Sequence, residues 1–359
     1  MKILTALAAS VLMLTATATA AQAAPGVALQ LREPSGPYSV GARDLYLIDD
    51  DRADPWVPER RRELMITLWY PAVDDRGAPE PYATAEESRL ILETIGAPGL
   101  PPDVLASVGT HARTNTAPKH GRWPVIVLSP GFSFPRNSLT GLAEDLASRG
   151  YLVVGVDHTY EAAAITFPDG RITTCLVCVL QGEGTVTGDQ VGMSRAADVS
   201  FVLDSLGKRR DLHADWSRVA MAGHSMGGNA AARTILGDRR VDAGVNMDGG
   251  FFPAIGRPLD RPFLMLGAEE RVPGAQRSWD ESWPQLTGWR RWITVTGTTH
   301  SSFTDYGLLG GQAGLPLQPM DGDRITTITR ELLAAFADRH LKGRSAPLPA
   351  YPEVLFHRP

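Results

Sequence analysis

The chain has 359 residues, 43% hydrophobic and 21% charged, with 36 Gly, 27 Pro, only 2 Cys and a formal net charge of −5. That apolar content can fill a core, which excludes global disorder, and the Gly and Cys counts exclude collagen-like and cysteine-scaffold classes. The mildly acidic balance, with no Lys/Arg block, argues against nucleic acid as the main partner. The length allows two domains, and one large α/β domain fits equally well.

Met1-Lys2, the uncharged run Ile3 to Ala20 and Ala21-Gln22-Ala23 before Ala24-Pro25 have the charged start, apolar middle and small-residue cleavage pattern of a secretory leader over 1–23. A membrane anchor needs about 20 strongly apolar residues, whereas Thr and Ala dilute this run. The expectation is an exported, soluble mature protein, with 24–359 as a single domain. Residues 25–60 are rich in Pro, Arg and Asp around one strand at Ala42–Ile48, and a second strand at Leu64–Tyr70 is ended by Pro71. Residues 71–122 mix a helical pattern at Glu86–Thr94 with Pro/Gly-rich stretches and read as a surface insertion.

From residue 124 short β-branched apolar runs alternate with amphipathic stretches. The runs Pro124–Leu128, Tyr151–Val156, Arg218–Ala222, Asp242–Met247, Pro262–Leu266 and Arg291–Val295 are apolar on consecutive positions, as strands covered on both faces require. Helices are predicted at Ser138–Arg149, Ser194–Leu206, Met226–Leu236 and Arg324–Leu341. This alternation predicts an α/β fold, a mostly parallel central sheet with helices on both faces. Cys175 and Cys178, the only cysteine pair, are expected to form a small structural disulfide in a loop. A redox reading wants the pair at a helix start after a strand, and a zinc site wants two further ligands.

The strongest motif is Gly223-His224-Ser225-Met226-Gly227, placed between a predicted strand and a predicted helix. A nucleophile must be lifted out of the sheet on a tight turn, and flanking glycines remove the side chains that would collide there. Ser225 at its ordinary pKa needs a general base oriented by an acid. Of the histidines that follow it, His340 ends the last helical pattern and His357 lies in the C-terminal tail, whereas His300 lies in a loop after the run Arg291–Val295. Loops at the carboxyl ends of strands are where such sheets place their sites, so His300 is the expected base. Asp248, Glu269 and Glu270 all close strand runs and compete as the acid. Main-chain donors for a developing oxyanion are expected from Met226 and from Phe132 in the turn Ser129-Pro130-Gly131-Phe132-Ser133. His158 and His224 are expected to line the substrate pocket.

These segments, with Asn246-Met247-Asp248-Gly249 and Gly297-Thr298-Thr299-His300-Ser301-Ser302-Phe303, resemble the platelet-activating factor acetylhydrolase family in its secreted plasma-type and bacterial lipase-like branch. The resemblance spans roughly 38–341, with its specific motifs between 124 and 303. It implies an α/β-hydrolase fold and a serine esterase, without metal or other cofactor, acting on short-acyl phospholipids or simple lipid esters. It also favours Asp248 as the acid and allows at most transient contact with a lipid surface. A broad lipase or cutinase-like polyester hydrolase is the rival enzyme, and a non-catalytic lipid-binding protein of this fold is the rival of another class. Where the family commonly has His-Gly at the oxyanion turn, this chain has Pro130-Gly131.

Overall fold

The computed structural model describes residues 28–357; the leader expected over 1–23 lies outside the described residues. Twelve strands and eight α-helices follow in chain order among them. The strands are β1 (Val40–Ala53), β2 (Arg61–Pro71), β3 (Arg113–Thr114), β4 (Trp123–Ser129), β5 (Leu152–His158), β6 (Ile165–Thr166), β7 (Ile172–Thr173), β8 (Ala214–His224), β9 (Val241–Met247), β10 (Phe263–Gly267), β11 (Arg290–Val295) and β12 (Val354–His357). The helices are α1 (Ala85–Ile95), α2 (Thr140–Ser148), α3 (Leu176–Gly182), α4 (Gly188–Gly207), α5 (Met226–Gly237), α6 (Arg277–Ser282), α7 (Asp305–Gln312) and α8 (Gly322–Leu341).

Ten strands form one sheet in the order β12-β11-β10-β9-β8-β4-β5-β2-β1-β3. From β5 to β11 neighbouring strands are parallel, while β2, β1 and β12 add antiparallel edges. Strand side chains alternate between faces, so each consecutive apolar run serves two cores. Val125 and Val127 pack with Val199, Val202 and Leu206 of α4 and Ala230 to Ala232 of α5. Ile126 and Leu128 point the other way, into a layer with Leu142 and Leu146 of α2 and Ile325, Ile328 and Leu332 of α8. This sandwich of helix, sheet and helix is the expected α/β architecture.

Three features differ from expectation. Strand β1 is 14 residues long, because its antiparallel pairing with β2 carries it past the short apolar stretch. Helix α4 starts at Gly188, six residues before its apolar periodicity, where Thr187 and Gln190 form a reciprocal capping box. The Cys175–Cys178 disulfide is present, but at a helix start after a strand, not in a loop: Cys175 caps α3, which follows β7. Residues of 71–122 contribute α1, β3 and a small apolar cluster in which Tyr82, Ile91, Leu92 and Leu105 meet Tyr306 and Leu309 of α7.

Candidate functional site

Ser225 stands between β8 and α5 with φ 54° and ψ −119°, a backbone state that costs a non-glycine residue on the order of 1–3 kcal/mol. Packing holds it there. The Ser225 N–H donates to the Met247 carbonyl at 2.8 Å. A Cβ on Gly227 would lie 2.0 Å from the Ser129 carbonyl oxygen, so only glycine lets α5 approach β4 this closely.

His300 reaches Ser225 from the loop after β11. Its Nε2 lies 2.8 Å from Ser225 Oγ, and its Nδ1 lies 2.5 Å from Asp248 Oδ2. An ionised carboxylate only accepts, so Nδ1 carries the proton and Nε2 offers its lone pair to the serine hydroxyl. Asp248, at the end of β9, has φ 60°. The bend is fixed by Asn246, whose Oδ1 accepts from Gly249 N–H and whose Nδ2 donates to the Gly249 carbonyl, each at 2.7 Å. The other Asp248 oxygen accepts from Ala268 N–H at 2.8 Å and Arg271 Nε at 3.1 Å. Burial pushes this carboxyl up, but the His300 hydrogen bond and the Arg271 guanidinium outweigh it and hold its pKa below the ordinary value. Asp248 is thus the carboxylate at His300, whereas Glu269 accepts from Gly297 N–H and both Glu269 and Glu270 are exposed.

Nothing in the sequence marks Arg271, which directly follows Glu269 and Glu270, as a site residue. Only the packing of β10 beside β9 turns it back onto Asp248.

The expectation for the other two histidines is corrected. His224 is 1% exposed and lies beneath the site: its Nε2 donates to the His300 carbonyl at 2.8 Å, and its ring stands 4.6 Å from that of His300. His158 is 2% exposed and uses both nitrogens internally. Its Nδ1 donates to Asp198 and its Nε2 accepts from Ser129 Oγ, each at 2.9 Å. Both side chains stand at strand ends, as the last residues of β5 and β8, but the segments packed over them leave them closed off from solvent. Burial pushes each imidazole down to about 3, so both are neutral.

Phe132 and Met226 N–H groups stand free at the turn after β4 and the first turn of α5; neither has a partner among the described residues. The Phe132 side chain joins Trp56, Tyr160 and Leu180 around the buried Val177, Val186, Val191 and Met226, giving the serine an apolar flank that includes α3. The opposite side is polar: a cavity of about 510 Å³ beside His300 is lined by Glu269, Glu270, Arg271, Gln276 and Thr299 among others. The His300 side chain is 47% exposed, so the site opens directly to solvent.

Residues 25–170 and 192–320 match the model of the family described as platelet-activating factor acetylhydrolase, isoform II. A ferulic acid esterase from Streptomyces cinnamoneus superposes with a TM-score of 0.84 at 40% identity, covering 92% of this chain and 100% of its own. A probable 1-alkyl-2-acetylglycerophosphocholine esterase of Arthroderma benhamiae is 28% identical over 77% of this chain and 76% of its own length. The platelet-activating factor acetylhydrolase of Cavia porcellus is 25% identical over 77% of this chain and 69% of its own. With a family match over most of its length and an esterase of the same fold beside it, the chain belongs to the platelet-activating factor acetylhydrolase family and is an α/β-fold carboxylic ester hydrolase.

Proposed function

We propose that Ser225 is the nucleophile, His300 the general base and Asp248 the acid that orients it, with Phe132 and Met226 N–H as the oxyanion donors. The observation that supports this reading most directly is His300 spanning Ser225 Oγ and Asp248 at 2.8 and 2.5 Å. Ser225 Oγ attacks the ester carbonyl as His300 Nε2 takes its proton, and Asp248 stabilises the imidazolium. The tetrahedral oxyanion lies against the two N–H groups. Collapse expels the alcohol, protonated by His300, and leaves an acyl-serine that water hydrolyses by the same steps in reverse.

The substrate class we infer is esters of short acyl chains, among them phospholipids with a short second chain and simple lipid esters, met at an open site. The half-exposed His300 leaves room for a bulky alcohol. A second reading, hydroxycinnamate esters, is favoured by the 40% identity to a ferulic acid esterase. No helix of the described residues is long and apolar enough to cross a membrane, and we propose that the chain is exported by its leader and acts outside the cell.

Labelling by a fluorophosphonate probe, lost in Ser225→Ala, tests the nucleophile; an unlabelled folded wild type would refute it. A panel running from acetyl to long acyl esters, a short-acyl phospholipid and methyl ferulate separates the substrate readings. Fractionation of the expressing culture tests export, with protein retained in the cells counting against it, and N-terminal sequencing of the secreted protein tests cleavage of the leader, with an intact Met1 counting against it.

A further inference from the structure

The turn that carries Phe132 rests on a fully buried cation. Arg195 of α4 donates from Nη1 to the Pro130 carbonyl at 2.5 Å and, from Nη2, reaches the Gly131 carbonyl at 3.5 Å. The Gly131 carbonyl also accepts from Phe134 N–H at 3.2 Å. In a trans peptide the C=O and the following N–H point in opposite directions. Drawing the Gly131 oxygen toward Arg195 therefore turns the Phe132 N–H away from Arg195, and that N–H has no backbone partner among the described residues.

The guanidinium is itself immobilised. Its Nε donates to Glu161 Oε2 at 2.6 Å, and both side chains are buried. Glu161 is part of the same loop system, because its carbonyl accepts the Ser133 N–H at 2.9 Å. Behind this pair, Asp198 accepts from Arg62 Nη2 at 2.6 Å and Arg52 Nη2 at 2.5 Å. Arg62 in turn donates to Asp54 at 2.9 Å. Asp198 also accepts from His158 Nδ1, and His158 Nε2 accepts a hydrogen bond from the hydroxyl of Ser129, the residue that opens the turn. Ser129, His158 and Asp198 thus form a second serine-histidine-aspartate chain, buried where no substrate reaches it. The buried Arg195 and Arg62 and the partly exposed Arg52 face Glu161, Asp198, Asp54 and Asp49 here, with a neutral histidine between. Burying so many charges is costly unless each is paired, and the one cation of the set that meets the oxyanion turn's carbonyls is Arg195.

We propose that Arg195 is a positioning residue of the ester hydrolase: by holding the Pro130 and Gly131 carbonyls it aims the Phe132 N–H at the oxyanion. The inference rests on the reading of Ser225 as nucleophile. A cation behind this peptide also polarises it, strengthening its N–H as a donor when negative charge develops. It makes no contact with the ester, so its loss weakens transition-state binding and leaves ground-state binding largely as it was.

The test compares Arg195→Lys, which keeps the charge and loses the planar fork, with the double variant R195M/E161Q, which removes both buried charges together. The readouts are kcat and KM on p-nitrophenyl butyrate, Ki for butylboronic acid and circular dichroism. The boronate forms a tetrahedral anion on Ser225 and places an oxygen against the oxyanion donors. For whichever variant folds, kcat should fall roughly 10- to 100-fold, and the boronate Ki should rise in proportion. KM should stay within about threefold. A folded variant with wild-type kcat, or with lowered kcat but an unchanged boronate Ki, would overturn the assignment. So would failure of both variants to fold, since Arg195 would then serve stability alone. Ser225→Ala run in parallel keeps the two readings apart: residual turnover there removes the nucleophile, whereas active wild type with unaffected Arg195 variants removes only the positioning role.

Discussion

His224 donates its Nε2–H to the main-chain carbonyl of His300 at 2.8 Å, so the residue just before the proposed nucleophile supports the loop carrying the proposed base. The remaining nitrogen, Nδ1, is buried without a hydrogen-bond partner among the described residues and faces the proposed oxyanion turn: a Cβ added to Gly131 would lie 2.7 Å from it. One imidazole therefore lies between the loop of His300 and the turn of Gly131.

That contact predicts the outcome at the turn. Gly131→Ala must displace either the His224 ring or the peptide that carries the Phe132 N–H, and kcat should drop by on the order of 10²-fold, the effect of losing one oxyanion donor. Phe132→Ala keeps the main-chain donor and should cost less than about tenfold. Steady-state kinetics of the two variants decide the matter, and equal small effects would remove the turn from the mechanism.

The buried histidines predict a pH dependence of stability. In the folded protein His158 and His224 are both pushed down to about 3 from 6.5, chiefly by burial. Below pH 6.5 the unfolded chain binds protons at these positions that the folded chain refuses, so their contribution to stability is complete above that pH and declines as pH falls toward 3. Denaturant unfolding between about pH 5.5 and 4 should show about one proton less taken up on unfolding in His224→Gln than in wild type. An unchanged proton count in the variant would show that His224 is charged in the fold.

Ser225→Ala and His300→Ala should each lower ester turnover by on the order of 10⁴ or more, and the double variant by no more than the worse single one, because nucleophile and base act as a unit. Additive losses would mean that the two side chains work in separate steps.

Asp248→Asn should reduce kcat by about 10³–10⁴ with little change in KM, since the amide cannot hold the same tautomer of His300 or stabilise the imidazolium. Glu269→Gln and Glu270→Gln should remain within roughly threefold of wild type. A dead Glu270→Gln beside a nearly active Asp248→Asn would move the acid to the later strand.

The Cys175–Cys178 bridge closes a loop of sequence separation 3, for which chain entropy gives about 2 kcal/mol, less than for a long-range bridge. Cys175→Ser with Cys178→Ser should lower the unfolding free energy by no more than that in denaturant titrations. Since α3 packs through Val177 against Met226 and Phe132, the same variant should also report, through kcat, how firmly that flank of the site is held.

Strand and helix alternation from 124 onward, the serine on its glycine-flanked turn and the histidine beyond the last core strand were all written locally. Each depends on periodicity of 2 or 3.6 or on a turn that only small residues permit. For the proposed acid, strand ends by themselves offered three candidates and only the family resemblance favoured Asp248, because the choice depends on which strand lies beside which. Pairing of β9 with β8 and β10 put Asp248 next to His300 and left Glu269 and Glu270 at the surface. His158 and His224 carry no local mark of burial, and Arg195 sits in α4 like any charged residue of an amphipathic helix. Their burial and partners are set by tertiary contacts across separations of 29 to 76 residues. A motif records what one stretch of backbone can do, but the burial that makes an imidazole neutral or sets a guanidinium against a carbonyl exists only once distant segments have closed over it.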